Sequence, residues 1–127
     1  MTAHRPGDIT ILVIDDDAMM RTLVGRTLRS EGFQVWTASG APEARQVLSR
    51  IPGGLDLILT DVAMPGGMGP QLVAEVRQAH PHVRLLYMSS YSRKDLLGHG
   101  IDLGKEELLA KPFMPAELVA RVRVTLS

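Results

Sequence analysis

Five side chains in this 127-residue sequence could act together on a charged ligand: the neighbouring carboxylates Asp15 and Asp16, the carboxylate Asp61, the hydroxyl of Ser89 and the ammonium of Lys111. Each lies at or just after the end of a short apolar run, which is typical of a strand buried in a sheet. A carboxylate at such a place either caps a turn or helix or acts on a ligand. The strands and helices that position these side chains distinguish between the two roles.

Strands and helices alternate along the chain. Apolar runs predict strands at residues 9–14, 33–37, 55–60, 83–88 and 107–110. Helical spacing of apolar residues follows each run, and it predicts helices within residues 17–32, 44–51, 70–81, 92–98 and 115–126. Five strand–helix units predict a parallel sheet with helices on both faces and right-handed crossovers. The fold class is therefore α/β, a single-domain (βα)5 sheet.

The first and last helices have the clearest buried faces. The first is predicted to begin after a cap at Asp17 and to end at Gly32, and the last begins at Pro115. Their predicted buried residues are Met20, Leu23, Val24, Thr27 and Leu28 in the first helix and Leu118, Val119, Val122 and Leu126 in the last. The predicted domain covers residues 9–127, with residues 1–8 as a flexible lead.

The ends of parallel strands lie along one edge of the sheet, so the five side chains are expected to converge. Three carboxylates at close range repel one another unless a cation lies between them. Mg²⁺ fits such a site best, because it is usually bound by a few carboxylates and keeps several water ligands. Lys111 could then pair with added negative charge and Ser89 could donate to it. These groups together are those of a phosphoryl-transfer site.

Four segments in this order and spacing resemble a response-regulator receiver domain: residues 11–17, 56–66, 86–91 and 111–113. The likeness spans residues 9–126, and residues 86–126 are most similar to receivers fused to hybrid sensor histidine kinases. The resemblance implies the flavodoxin-like strand order 2-1-3-4-5. It also implies Mg-dependent transfer of a phosphoryl group from a phosphohistidine to Asp61.

The resemblance implies a role for each site residue. Asp16, Asp61 and the backbone carbonyl of Ala63 would coordinate Mg²⁺, for which Mn²⁺ could substitute, and Asp15 would act mainly through a bound water. Ala63, Ser89, Ser90 and Lys111 would contact the phosphoryl group. The peptide bond between Lys111 and Pro112 would be cis, which X-Pro bonds can adopt.

The chain departs from the family at the position whose aromatic side chain usually reports phosphorylation by rotating inward. The family often has Tyr or Phe three positions before the lysine, and this chain has Leu108. Ser89 would still move toward the phosphoryl group. Leu108 could repack, or Tyr91 could carry part of the signal. The segment from residue 94 to residue 104, with the fifth strand and last helix, is expected to form the output face.

Composition excludes several other functions. Fourteen basic residues balance fourteen acidic ones, so nothing points to nucleic acid or an anionic membrane. The absence of cysteine excludes zinc–thiolate sites and thiol catalysis. We expect a cytoplasmic signalling domain rather than an enzyme, with a histidine kinase or histidine phosphotransfer protein and an unknown downstream protein as partners. It would be a monomer or a phosphorylation-dependent dimer.

Two alternatives remain open. Asp15 and Asp17 have the Asp-x-Asp spacing of haloacid-dehalogenase-like phosphatases, which also form an aspartyl phosphate. That fold usually requires a longer chain and a downstream acidic pair, which is not found here. The second alternative is a pseudo-receiver that docks without being phosphorylated, which the leucine at position 108 keeps open.

Overall fold

A computed structural model describes residues 6–64 and 67–127, which form a five-stranded parallel sheet with helices on both faces. The strands are β1 (Thr10–Ile14), β2 (Gln34–Ala38), β3 (Leu57–Asp61), β4 (Arg84–Ser89) and β5 (Glu107–Ala110). The helices are α1 (Ala18–Ser30), α2 (Ala41–Leu48), α3 (Gly69–Ala79), α4 (Arg93–Gly98) and α5 (Pro115–Leu126). The strand order β2-β1-β3-β4-β5 confirms the predicted fold class and topology.

Side chains that alternate along each strand fill two apolar cores, one on each face of the sheet. On one face, Ile11, Val13, Leu57 and Leu59 pack with residues of α1 and α5. On the other face, Leu12, Ile14 and Ile58 pack with residues of α2, α3 and α4. Burial on both faces explains why β1 and β3 have almost continuous apolar sequences rather than alternating ones.

The register makes the central strands end together. Ile14 lies opposite Thr60, and Asp61 lies opposite Met88. The last residue of β4, Ser89, lies opposite Ala110, the last residue of β5. The residues at and just beyond these ends therefore share one edge of the sheet.

The buried face of α1 differs from the prediction. Val24, Gly25 and Leu28 are buried, whereas Leu23, predicted to be in the core, is 42% exposed. A Cβ on Gly25 would lie 3.6 Å from the methyl group of Thr37 in β2. Helix α1 therefore packs on the sheet along Val24, Gly25 and Leu28, and Leu23 lies outside that buried stripe.

Other boundaries also differ from the prediction. Helix α2 begins at Ala41, with Pro42 in its first turn, and ends at Leu48, rather than covering residues 44–51. A short hairpin that pairs Ala63 with Met68 follows β3 and was not predicted. Of the predicted flexible lead, residues 1–5 lie outside the described residues, while Pro6–Asp8 form a 3-10 turn. No helix in the described ranges is long and apolar enough to cross a membrane.

Replacing Leu59 tests the contribution of the central strand. Leu59→Ala is expected to lower the free energy of unfolding by about 2 to 5 kcal/mol, because it leaves a cavity in a fully buried strand. Leu97→Ala, at a residue that is 59% exposed in α4, is the matched control and should change stability by less than about 0.5 kcal/mol. Urea unfolding measures both, and equal effects would contradict the assigned core.

Candidate phosphoryl-transfer site

The carboxyl edge of the sheet brings the predicted acidic residues and the lysine together. Asp15 and Asp16 follow β1, Asp61 is the last residue of β3 and Lys111 follows β5. One carboxylate oxygen from each of the three aspartates lies within 4.8 Å of those of the other two. The predicted convergence of these four residues is therefore observed, although Asp15 and Lys111 are 96 positions apart.

Asp15 is the buried member of the cluster, with 0% exposure. Its Oδ1 accepts a hydrogen bond from the backbone N–H of Asp17 at 2.9 Å, and its Oδ2 accepts one from Lys111 Nζ at 2.6 Å. Its own N–H donates to the carbonyl of Ala38 in β2 at 3.1 Å. Both the side chain and the backbone of Asp15 are thus fixed.

Lys111 joins two of the three carboxylates. Its Nζ lies 2.6 Å from Asp15 Oδ2 and 3.3 Å from Asp61 Oδ2. Its backbone N–H donates to the carbonyl of Ser89 at 2.8 Å, which ties the residue to the end of β4. The bond between Lys111 and Pro112 is cis, as the resemblance implied.

Burial and charge shift the protonation of this cluster. Burial raises the pKa of Asp61, the charge of Asp15 raises it further, and the ammonium of Lys111 opposes both. Burial by itself would lower the pKa of Lys111, but the hydrogen bond and charges of Asp15 and Asp61 outweigh it, so that pKa lies above its ordinary value. Lys111 therefore remains charged at neutral pH.

The donor set fits a hard divalent cation. When ionised, three carboxylates and one ammonium leave a net charge of about −2, and all ligand atoms are the oxygens that Mg²⁺ prefers. Asp16 is exposed, and among the described residues its carboxylate has no hydrogen-bond partner. Ala63 lies two residues beyond Asp61, at the start of the hairpin. Asp16 and the outward side of Asp61 are therefore available to a cation that approaches from solvent.

The Ser89 hydroxyl was predicted to converge with the charged residues, but among the described residues it has no hydrogen bond to the carboxylates or to Lys111 Nζ. Ser89 is buried, and its Oγ accepts a hydrogen bond from the N–H of Tyr91 at 2.9 Å. Ser90 is exposed, and the Tyr91 side chain is 61% exposed with its ring centroid 6.5 Å from that of His99. This arrangement holds the turn between β4 and α4 through Ser89.

Leu108, which stands where the family often has Tyr or Phe, has an aromatic neighbour. Leu108 in β5 lies directly opposite Tyr87 in β4, and both pack in the core beneath α4. Tyr87 is only 3% exposed, and burial raises the pKa of its phenol to about 12. The phenol is thus neutral at neutral pH, and the ring occupies space beside Leu108.

Two residues near the site were missed by the sequence reasoning. A Cβ on Gly69 would lie 2.7 Å from the carbonyl oxygen of Asp61, so only glycine allows α3 to begin against the end of β3. Arg21 in α1 donates from Nη1 to the carbonyl of Asp15 at 2.8 Å. The pair formed by Gly69 and Pro70 was a signal for the first, since it marks a helix start. Nothing in the sequence distinguishes Arg21 from an ordinary surface arginine.

Asp17 acts as a helix cap, as predicted. Its Oδ1 accepts hydrogen bonds from the N–H groups of Met19 and Met20, at 2.9 and 3.4 Å. A side chain committed to the first turn of α1 is not directed at a ligand. The phosphatase alternative, which needs both Asp15 and Asp17 in catalysis, therefore has no support in this geometry.

Comparison with known proteins places these features in one family. The family model described as the response regulator receiver domain matches residues 11–123. The sensor kinase CckA of Brucella abortus is 31% identical over 121 residues, which cover 94% of this chain and 13% of that protein. The chain also spans less than half the length of the transcriptional regulatory protein CpxR of Klebsiella pneumoniae.

Two solved structures show the same architecture. The chemotaxis response regulator CheY4 of Vibrio cholerae has a TM-score of 0.79 and 28% identity, with 93% of this chain and 98% of that chain covered. The response regulator protein TrrA of Thermotoga maritima, in complex with Mg²⁺ and BeF, has a TM-score of 0.73 and 31% identity, with coverages of 93% and 99%.

Removing the charge of Asp61 should not destabilise the protein. Because the pKa of Asp61 in the folded state is raised above its ordinary value of 3.8, ionisation disfavours folding at neutral pH, and this cost disappears as the pH falls. Asp61→Asn is therefore expected to be as stable as the parent at pH 7 or more so, with a smaller difference near pH 4. Urea unfolding in Mg-free buffer measures this, and a variant less stable by more than about 1 kcal/mol at pH 7 would contradict it.

Proposed function

Because the chain belongs to the response regulator receiver domain family of two-component phosphorelay signalling, we propose that it accepts a phosphoryl group on Asp61. The observation that carries this proposal is the position of Lys111 Nζ, 3.3 Å from Asp61 Oδ2 and 2.6 Å from Asp15 Oδ2, at the carboxyl edge of the sheet. An ammonium beside the accepting oxygen is where a transferred phosphoryl group needs positive charge.

The proposed step transfers a phosphoryl group from a histidine nitrogen of the donor to a carboxylate oxygen of Asp61. A carboxylate oxygen of Asp61 attacks the phosphorus of a phosphohistidine, the P–N bond breaks and the imidazole nitrogen keeps the bonding pair. The product on Asp61 is an acyl phosphate. Lys111 pairs with one phosphoryl oxygen after transfer, while Asp15 continues to hold its ammonium at a fixed place.

The proposed cofactor is Mg²⁺, with Mn²⁺ as a substitute. Asp16, Asp61 and the carbonyl of Ala63 would hold it, and Asp15 would act through a bound water. When bound, the cation would neutralise negative charge on the carboxylates and on the incoming phosphoryl oxygens. The net negative charge of the cluster and the exposed carboxylate of Asp16, which has no partner within residues 6–64 and 67–127, support this assignment.

The proposed donor is a histidine kinase or a histidine phosphotransfer protein. Receiver domains interact with such proteins, and the sensor kinase relative supports a donor of this class. The chain covers a small part of that relative, so the activity of a complete protein that contained this domain would depend on its other domains. The downstream partner would be a protein rather than nucleic acid, because the net charge is zero.

The proposed readout begins at Ser89. If its hydroxyl turns toward a phosphoryl group on Asp61, the bond from the Tyr91 N–H to Ser89 Oγ breaks, and the turn before α4 loses a support. Arg93, in the first turn of α4, donates to the carbonyls of Gly104 and Glu106, just before β5. A shift of this turn can therefore reach the segment that precedes Leu108 without a rotating aromatic residue.

Phosphorylation should occur at Asp61 alone. Incubation with Mg²⁺ and acetyl phosphate, or with a phosphorylated donor, is expected to add one phosphoryl group that peptide mapping places on Asp61. Asp61→Asn should reduce the yield at least a hundredfold, because an amide cannot form the acyl phosphate. Asp17→Asn is the matched control, since Asn also caps helices, and it should be phosphorylated like the parent.

Other outcomes separate the alternatives. A phosphoryl group on Asp15 with Asp61 unmodified would overturn the receiver mechanism in favour of the phosphatase. Absence of any Mg-dependent phosphorylation, with partner binding retained, would favour a pseudo-receiver that acts only by docking.

Hydrogen exchange tests the readout. Phosphorylation, or its beryllofluoride analogue with Mg²⁺, is expected to change amide exchange several-fold in residues 94–104, a segment with a short helix and three glycines. Ser89→Ala should remain phosphorylated and lose most of this change, whereas Ser89→Thr, which keeps the hydroxyl, should retain it. Identical exchange before and after phosphorylation in the parent protein would rule out this output face.

A further inference from the structure

Arg21 links helix α1 to the end of β1. Its backbone N–H donates to the carbonyl of Asp17 at 2.9 Å, as expected in a first helical turn. Its half-buried side chain turns back along the helix, and Nη1 donates to the carbonyl of Asp15 at 2.8 Å. A charged donor of this kind makes a stronger hydrogen bond than a neutral one.

The carbonyl that Arg21 holds belongs to the peptide between Asp15 and Asp16. Every other part of Asp15 already has a partner: its N–H, its Oδ1 and its Oδ2 are bonded to Ala38, Asp17 and Lys111. The carboxylate of Asp16 has none among the described residues. As far as the described residues show, its direction therefore depends on the backbone that carries it, and Arg21 holds the carbonyl of the peptide that leads into it.

We propose that Arg21 is a positioning residue for the cation site, acting through the Asp15 carbonyl to aim the Asp16 carboxylate. The proposal rests on the proposed Mg²⁺ site and extends it to a residue outside the ligand set. Arg21 touches neither the cation nor the phosphoryl group. Its effect is to reduce the conformational freedom that Asp16 would lose on binding a cation.

Loss of the charge of Arg21 and loss of its hydrogen bond would change Mg²⁺ affinity in opposite directions. A guanidinium near a cation site repels the cation, so removing its charge would by itself strengthen Mg²⁺ binding. Removing its hydrogen bond frees the peptide between Asp15 and Asp16, which weakens binding. The sign of the change in affinity on replacing Arg21 therefore distinguishes a positioning role from a purely electrostatic one.

Calorimetric titration with Mg²⁺ alone provides the test. Arg21→Met keeps an apolar stem and removes the donor, and it is expected to weaken Mg²⁺ binding about tenfold. Arg21→Lys keeps a charged donor of similar reach and should remain within about threefold of the parent. Phosphorylation of Arg21→Met by acetyl phosphate should be slow at low Mg²⁺ and recover largely at saturating Mg²⁺, because Asp61 and Lys111 are unchanged.

Arg26 provides the control on the same helix. It is exposed and has no described partner, so Arg26→Met removes one positive charge without releasing the strand end, and Mg²⁺ affinity should be unchanged or slightly higher. If Arg21→Met does not fold, Arg21→Ala, which is favourable in a helix, carries the same expectation. Circular dichroism verifies folding of each variant.

The proposed cation site and the positioning role of Arg21 can be overturned separately. If the parent protein does not bind Mg²⁺, the proposed cation site is wrong. If the parent binds Mg²⁺ and the folded Arg21→Met or Arg21→Ala variant binds it equally well or more tightly, the positioning role is overturned while the site stands. Weaker binding by Arg21→Lys equal to that of Arg21→Met would also overturn it.

Discussion

The ion pair of Lys111 with Asp15 is the contact on which the site depends. It joins the ends of β1 and β5, the first and last strands along the chain. Asp15 is fully buried, and the lysine side chain is only 15% exposed. Charges removed from water destabilise a protein unless they are paired and hydrogen-bonded. Asp61, 3.3 Å from the same ammonium, shares this compensation. The lysine thus lets two carboxylates remain close together in a partly buried place.

Such a pair can form only if the strands end at the same level. In the parallel sheet β1 and β3 are neighbours, and β4 lies between β3 and β5. The backbone bond from Lys111 to Ser89 and the close approach of Gly69 to the Asp61 carbonyl fix the ends of the outer strand and of β3. The apolar cores on the two faces hold the strands at that register. The stability of the fold and the geometry of the site therefore have the same source.

The sequence determined the fold class and the identity of the charged residues. Strands buried on both faces need continuous apolar runs, and the amphipathic helices between them need apolar residues at helical spacing, so both patterns are visible without coordinates. The abrupt change from apolar to acidic residues after β1 and at the end of β3 marked Asp15, Asp16 and Asp61. The cap at Asp17 was also predictable, because it depends on only a few neighbouring residues.

Tertiary structure decided which face of each helix is buried and which polar groups meet. Leu23 has the spacing of a core residue, but α1 packs on the sheet along Val24, Gly25 and Leu28 and leaves Leu23 42% exposed. Arg21 reaches the Asp15 carbonyl only because α1 starts immediately beyond the strand end, and Tyr87 adjoins Leu108 only through strand pairing. These contacts depend on distances between elements, which local patterns do not contain. The sequence supplied the charges, and the packing of the sheet set their partners.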